Sequence, residues 1–242
     1  MVIDHRYKFV FIELPLTATS AISKEIREQY GCEPIMNKHA TYGDFLKKAT
    51  AEEKEYAVIG SIRNPLDQTV SMYFKYKTDL DERFSSGRKR PGKWLRKKLA
   101  RNRDADRYNY IQKHNASFET YFLKFFHWPY SNWSVVAHKK FDFVIRFENL
   151  GSDYRKIFTA AGLPVTRDLP QANKTPEKNM DFWSYYHTDK MKRRAKQVFG
   201  PFMRYWGYQF PESWNNIQEP WYAQPLYEFL NIFRIFYWKR LR

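Results

Sequence analysis

The sequence predicts a single α/β domain in which a central parallel sheet is flanked by helices. Three apolar runs read as buried strands, each is followed by a helical pattern, and large apolar side chains are plentiful enough for a sizeable core. Lys8 to Leu14, KFVFIEL, is rich in aromatic and β-branched residues and ends at Pro15. PLTATS follows as a small, hydroxyl-rich loop, and AISKEIREQY places Ile22, Ile26 and Tyr30 at helical spacing. Tyr56 to Ile62, YAVIGSI, is the second strand. Asn64-Pro65 then opens LDQTVSMYFKYK with proline at the first helical position, where its missing N–H costs nothing. Phe141 to Phe147, FDFVIRF, is the third strand, closed by Glu148-Asn149 and followed by a helix from Tyr154 to Ala161 that stops at Gly162 and Pro164.

Two further helical segments are expected. Between Tyr108 and Trp128, Tyr110, Ile111, Phe118, Tyr121, Phe122 and Phe125 suit one aromatic-faced helix, and residues 181–210 form another that ends in a GYQF strand or turn. A short helix is expected at Thr41 to Lys48. No repeat is visible. The domain is expected to occupy residues 1–211, carrying a basic insertion at 83–107, with an aromatic-basic extension at 212–242. That insertion holds eleven Lys/Arg against two Asp, a net +9 within a chain of net charge +16.

Composition removes several classes of function. With 242 residues, 43% hydrophobic and 19% aromatic, the chain is no disordered polymer. Its one cysteine, Cys32, can make neither an internal disulfide nor a Cys-rich zinc site, which points to a reducing compartment. The nine glycines are never two apart, so neither GxGxxG nor a Walker A loop is present. The six histidines are never four apart, which removes HExxH, and no Gly-x-Ser-x-Gly elbow occurs. MVIDHRYKFVFIEL lacks the order of a secretory leader, and no apolar run is long enough to span a bilayer. The expected location is cytoplasmic, with peripheral contact at the inner membrane face as an option.

A strand that runs through a small-residue loop into a helix N-terminus offers unpaired amides and a positive dipole end, a geometry that binds anions. Thr17, Ala18, Thr19 and Ser20 supply that loop, with three hydroxyls besides the amides. The plainer alternative is a Thr/Ser N-cap. Arg63 follows the second strand and Ser71 lies eight positions on, about two turns into the next helix. A planar guanidinium fork and a hydroxyl suit a phosphate.

RNPLDQTVSMYF resembles the RNP-x-D-x-x-VS-x-YF element of sulfotransferases that use 3′-phosphoadenosine 5′-phosphosulfate (PAPS). FVFIELPLTATSAI resembles the same family's FIHIPKTGGTSI loop, and FDFVIRFENL its DFVGRFENL segment; the likeness is to the carbohydrate sulfotransferase branch and runs to about Pro211. The resemblance implies a P-loop-like domain with PAPS as co-substrate and no metal. It implies that Arg63 and Ser71 grip the 3′-phosphate, which separates this donor from ATP, while Thr17 to Ser20 cradle the 5′-phosphosulfate. Where the family has lysine after the loop proline this chain has Leu16, and where it has histidine this chain has Glu13. The resemblance therefore calls for a replacement cation, for which Lys174 and Lys178 in NKTPEK and Lys38 are candidates. His39 in NKHATYGDF stands where related enzymes place their base, with Glu13 as the alternative, and Glu148 is expected to be structural.

The expected function is sulfuryl transfer to an acceptor hydroxyl, on a carbohydrate. The competing reading is a weak or inactive relative that binds the nucleotide, an anionic polymer or a membrane surface through its basic face. The insertion could line an acceptor groove or meet anionic lipid; with no RNA- or DNA-binding motif beside the charge, nucleic acid ranks below these as a partner. In PWYAQPLYEFLNIFRIFYWKRLR, Leu226, Phe229, Leu230, Phe233 and Phe236 fall on one helical face, which suits either an interfacial helix or docking on the protein's own core.

Overall fold

The computed structural model describes residues 1–86, 94–169, 177–178 and 180–238, with the backbone alone for 94–102. In chain order the elements are β1 (Val2–Asp4), β2 (Phe9–Ile12), α1 (Thr19–Tyr30), β3 (Glu33–Pro34), α2 (Tyr42–Leu46), β4 (Ala57–Ile62), α3 (Pro65–Lys77), α4 (Trp94–His114), α5 (Phe118–Phe125), α6 (Trp133–Val136), β5 (Phe143–Arg146), α7 (Leu150–Ala160), α8 (Asp189–Trp206) and α9 (Ala223–Phe236). The fold is α/β. It comprises two compact units, the first of Met1–Asn64, Ser131–Asn173 and Tyr227–Arg242, the second of Pro65–Tyr130 and Lys174–Leu226.

The first unit contains a five-stranded sheet in the order β3-β1-β2-β4-β5. The three strands expected from their apolar runs form its parallel half, with Phe11 paired to Ile59 and Gly60 to Val144. The sheet as a whole is mixed, which corrects the expectation of a parallel one, because β1 pairs antiparallel with β2 and with β3. A four-residue turn joins β1 to β2, too short for the crossover a parallel pair needs, and Asp4 Oδ1 accepts from the Tyr7 amide at 2.7 Å within it. Phe9, Phe11, Ile59 and Ile145 bury one sheet face against Ile22 and Ile26 of α1 and Tyr154 and Phe158 of α7. Gly60 is required by close approach: a Cβ there would lie 2.6 Å from the Phe141 ring.

The second unit is helical, and its core is an aromatic cluster that includes Tyr73 and Tyr76 of α3, Phe118, Tyr121 and Phe122 of α5, Tyr185 and Tyr186, and Phe199 of α8. The single aromatic helix expected over 108–128 is two helices. The chain breaks at Asn115, whose φ is +43°, and restarts at Ser117, whose hydroxyl accepts from the Thr120 amide at 3.2 Å. Their apolar residues meet through that bend rather than along one stripe. The helix expected across 181–210 is a short 3₁₀ turn followed by α8, capped by Thr188 and ended by Gly207 at φ +68°, and GYQF forms no strand. Part of the basic 83–107 segment is regular structure, since α4 begins at Trp94; residues 87–93 lie outside the described residues. No helix among the described residues is long and apolar enough to cross a membrane.

Candidate functional site

The loop from Leu14 to Ser20 leaves the C-terminal end of β2 and enters α1 through two residues in the left-handed region, Leu16 at φ +67° and Ala18 at φ +60°. Neither is glycine, so each costs on the order of 1 kcal/mol that the surrounding contacts must offset. Those contacts are visible. The Thr17 hydroxyl donates to the Leu14 carbonyl at 3.0 Å and the Thr19 hydroxyl to the same oxygen at 3.1 Å. With its proton so used, Thr17 Oγ1 accepts from Ser61 on β4 at 2.8 Å. Both threonines are buried, so their hydroxyls shape the loop instead of facing a ligand, a correction to the donor role expected of them. Ala18 is the N-cap of α1 and offers no side-chain bond, so the plain Thr/Ser cap is not formed. The amides of Thr17, Ala18, Thr19 and Ser20 consequently meet no acceptor among the described residues. Four such N–H groups at the start of a twelve-residue helix are the expected signature of an anion cradle.

Among the described residues of the first unit, two cations reach this loop. Arg63 follows β4, and because β2 and β4 are parallel neighbours their C-terminal ends lie side by side. The Arg63 side chain is buried, its Cζ lies 3.9 Å from the centroid of the Phe147 ring, and its Nη1 donates to the Leu16 carbonyl at 3.3 Å. Glu148 Oε1 accepts from the Asn64 amide at 2.7 Å, tying the end of β5 to the turn after β4 in the structural part expected of it. Lys38 comes from the segment between β3 and α2, and its Nζ donates to the Ser20 hydroxyl at 2.7 Å.

His39 is adjacent. Its Nδ1 lies 2.8 Å from the Glu13 carbonyl oxygen, and since a carbonyl only accepts, Nδ1 carries the proton and Nε2 the lone pair in the neutral ring. The ring meets Trp133 edge-on at 6.0 Å. Burial, the leading cause, holds the His39 pKa below its ordinary 6.5 despite the opposing pull of the Glu13 carbonyl, so the neutral base dominates at neutral pH. A cleft of about 260 Å³ opens beside it, lined by Asn37, His39, Asp44, Lys47 and Lys48 among others. The Glu13 carboxylate, the alternative base, is buried and held at 2.5 Å by the Met1 ammonium. Its main chain, rather than its carboxylate, serves the site by orienting His39.

No family model matches this chain, and neither a curated protein nor a solved structure matches it. The first unit thus brings together Thr17 to Ser20, Arg63, Lys38, His39 and Glu13. Ser71 belongs to the second unit, buried on α3. Lys178 also belongs there and is paired with the buried Asp67, in the first turn of α3. Lys174 lies outside the described residues. Ser61 and Phe147 were missed by reasoning from the sequence. Ser61 left a signal, a polar residue inside the otherwise apolar strand YAVIGSI; Phe147 left none, since one aromatic at a strand end looks like any other.

Proposed function

We propose that this protein transfers a sulfuryl group from PAPS to an acceptor hydroxyl, on a carbohydrate, using the C-terminal edge of the parallel strands as a P-loop-like anion site. The observation that carries the reading is the convergence of Lys38 and Arg63 on a loop whose four amides meet no acceptor among the described residues. The resemblance of RNPLDQTVSMYF and FDFVIRFENL to the sulfotransferase elements adds the identity of the anion.

When bound, the co-substrate supplies a sulfur–oxygen bond whose cleavage leaves a stable phosphate. The residues divide the remaining work. The loop amides and the α1 dipole hold the 5′ end, and Arg63 supplies the guanidinium fork for the 3′-phosphate. Lys38 does what the family's loop lysine does, which answers the objection raised by Leu16: its ammonium, already at the Ser20 hydroxyl, stabilises negative charge as it moves to the 5′-phosphate oxygen. His39 takes the acceptor's proton on Nε2 while the acceptor oxygen bonds to sulfur and the bond from sulfur to the 5′-phosphate breaks.

The test is calorimetric titration with 3′-phosphoadenosine 5′-phosphate beside ATP, followed by sulfation assays on a panel of sugars. Binding of the 3′-phosphorylated nucleotide, weaker ATP binding and loss of binding in Arg63→Ala are expected. Lys38→Ala is expected to bind the product nucleotide but to lose about 100- to 1000-fold in turnover. A protein that binds neither nucleotide overturns the reading.

A further inference from the structure

Helix α9 is apolar on the side where a surface helix is normally polar. Tyr227 and Asn231 are buried and define its inner side. Phe229, Ile232, Phe233 and Phe236 recur at intervals of three and four and are exposed by 56%, 65%, 57% and 58%. The expected helical face is accordingly split: Leu226 and Leu230 are half-buried, and the three phenylalanines point outward. One phenylalanine side chain carries about 150–250 Å² of surface, so four side chains more than half exposed present about 300 Å² or more of continuous apolar area. The largest apolar patch on a typical monomer covers about 300–600 Å² and is often functional.

We infer that the outward face of α9 docks on an anionic lipid surface. The helix has 14 residues and is about 21 Å long, short of a hydrocarbon core of about 30 Å, so it lies along the surface rather than through it. Exposed aromatics with polar edges flank the stripe along the chain, Trp221 and Tyr222 before it and Tyr237 after it, the residue types that favour the headgroup boundary. The charge is complementary: the chain carries a net +16, and the four residues that follow Trp238 in the sequence, KRLR, include three cations. The same charge argues against a second copy as the occupant, since two chains of +16 repel when brought face to face. This inference stands whether or not the protein transfers sulfuryl groups.

The experiment is flotation of the full chain with phosphatidylcholine vesicles and with vesicles containing about 30 mol% phosphatidylglycerol. It is repeated with a triple Phe229→Ser, Phe233→Ser, Phe236→Ser variant whose fold is checked by circular dichroism. Binding to the anionic vesicles, reduced about tenfold or more in the triple variant, is expected. Glu228→Gln, which removes the acidic group from the outward side and leaves the apolar stripe intact, is expected to bind about two- to fivefold more tightly. Equal binding by the triple variant and the parent assigns any vesicle affinity to basic surface elsewhere and overturns the proposal. So does failure of the parent to bind, or a dimer seen by light scattering that the triple variant dissolves.

Discussion

The two units treat buried polarity in opposite ways. In the first, aliphatic and phenylalanine side chains such as Ile22, Ile59, Ile145 and Phe158 fill most of the sheet core beside Tyr154, and polar groups gather at the strand ends, where Ser61, Arg63 and Lys38 each bond the loop before α1. In the second, polar atoms are carried into the core on tyrosines. Tyr73 donates to the Ala116 carbonyl at 2.9 Å, Tyr76 to Asp104 at 2.9 Å and Tyr186 to the Leu66 carbonyl at 3.1 Å. Burial pushes the Tyr76 hydroxyl up to about 12, keeping it protonated as a donor. Tyr121 is fully buried, and its hydroxyl has no partner among the described residues. A parallel sheet exports its unsatisfied backbone to one edge, where an anion site can form; the aromatic helical core keeps the hydroxyls of Tyr73, Tyr76 and Tyr186 inside, bonded within the unit.

The comparison is broken if a residue of the aromatic core controls chemistry without changing stability. Phe122 lies parallel to Phe118 and Phe199 and edge-on to Tyr186, so Phe122→Ala should lower unfolding free energy by about 3–5 kcal/mol in urea titration. Its effect on turnover below the unfolding transition should be small.

His39→Gln tests the other side and should leave urea stability nearly unchanged while reducing sulfation about 100-fold or more. The parent should show an acid limb in kcat/KM with its midpoint below 6.5, because burial holds the imidazole neutral. The sign for stability follows from the same shift. Between its folded and ordinary values His39 is protonated only in the unfolded chain, so its contribution is present above 6.5 and is lost as pH falls through the folded value. The glutamine variant should lose the acid limb and that part of the pH dependence of unfolding. An unchanged rate would remove His39 from the chemistry.

The smallest effect sharpens the contrast. Tyr121→Phe deletes a buried hydroxyl with no hydrogen-bond partner among the described residues, and should be neutral or stabilising by up to about 1 kcal/mol. A clear loss of stability would reveal a partner for that hydroxyl.

Much of the fold was legible locally. Buried parallel strands announce themselves as apolar runs, and Pro65 at the first position of α3 and Gly162 just past α7 mark the boundaries of their helices. β1 and β3 were not legible, being three and two residues long, too short for a period to show. The left-handed residues of the cradle were hidden for another reason: Leu16 and Ala18 are not types that advertise positive φ, and the loop is held by bonds that reach Leu14, Ser61 and Arg63.

By itself, then, the sequence determined the α/β class, the loop that starts α1, the nomination of Arg63 and His39, and the charge of +16. Tertiary structure decided that Lys38 reaches the loop, which nitrogen of His39 bears the lone pair, and which face of α9 is left outside. Periodicity and turn chemistry act over a few neighbouring residues and can be read along a chain. The pairing of Lys38 with Ser20 spans 18 positions, that of His39 with Glu13 spans 26 and that of Arg63 with Leu16 spans 47. The contact between Arg63 and Leu16 exists only once strand pairing has placed the ends of β2 and β4 beside one another.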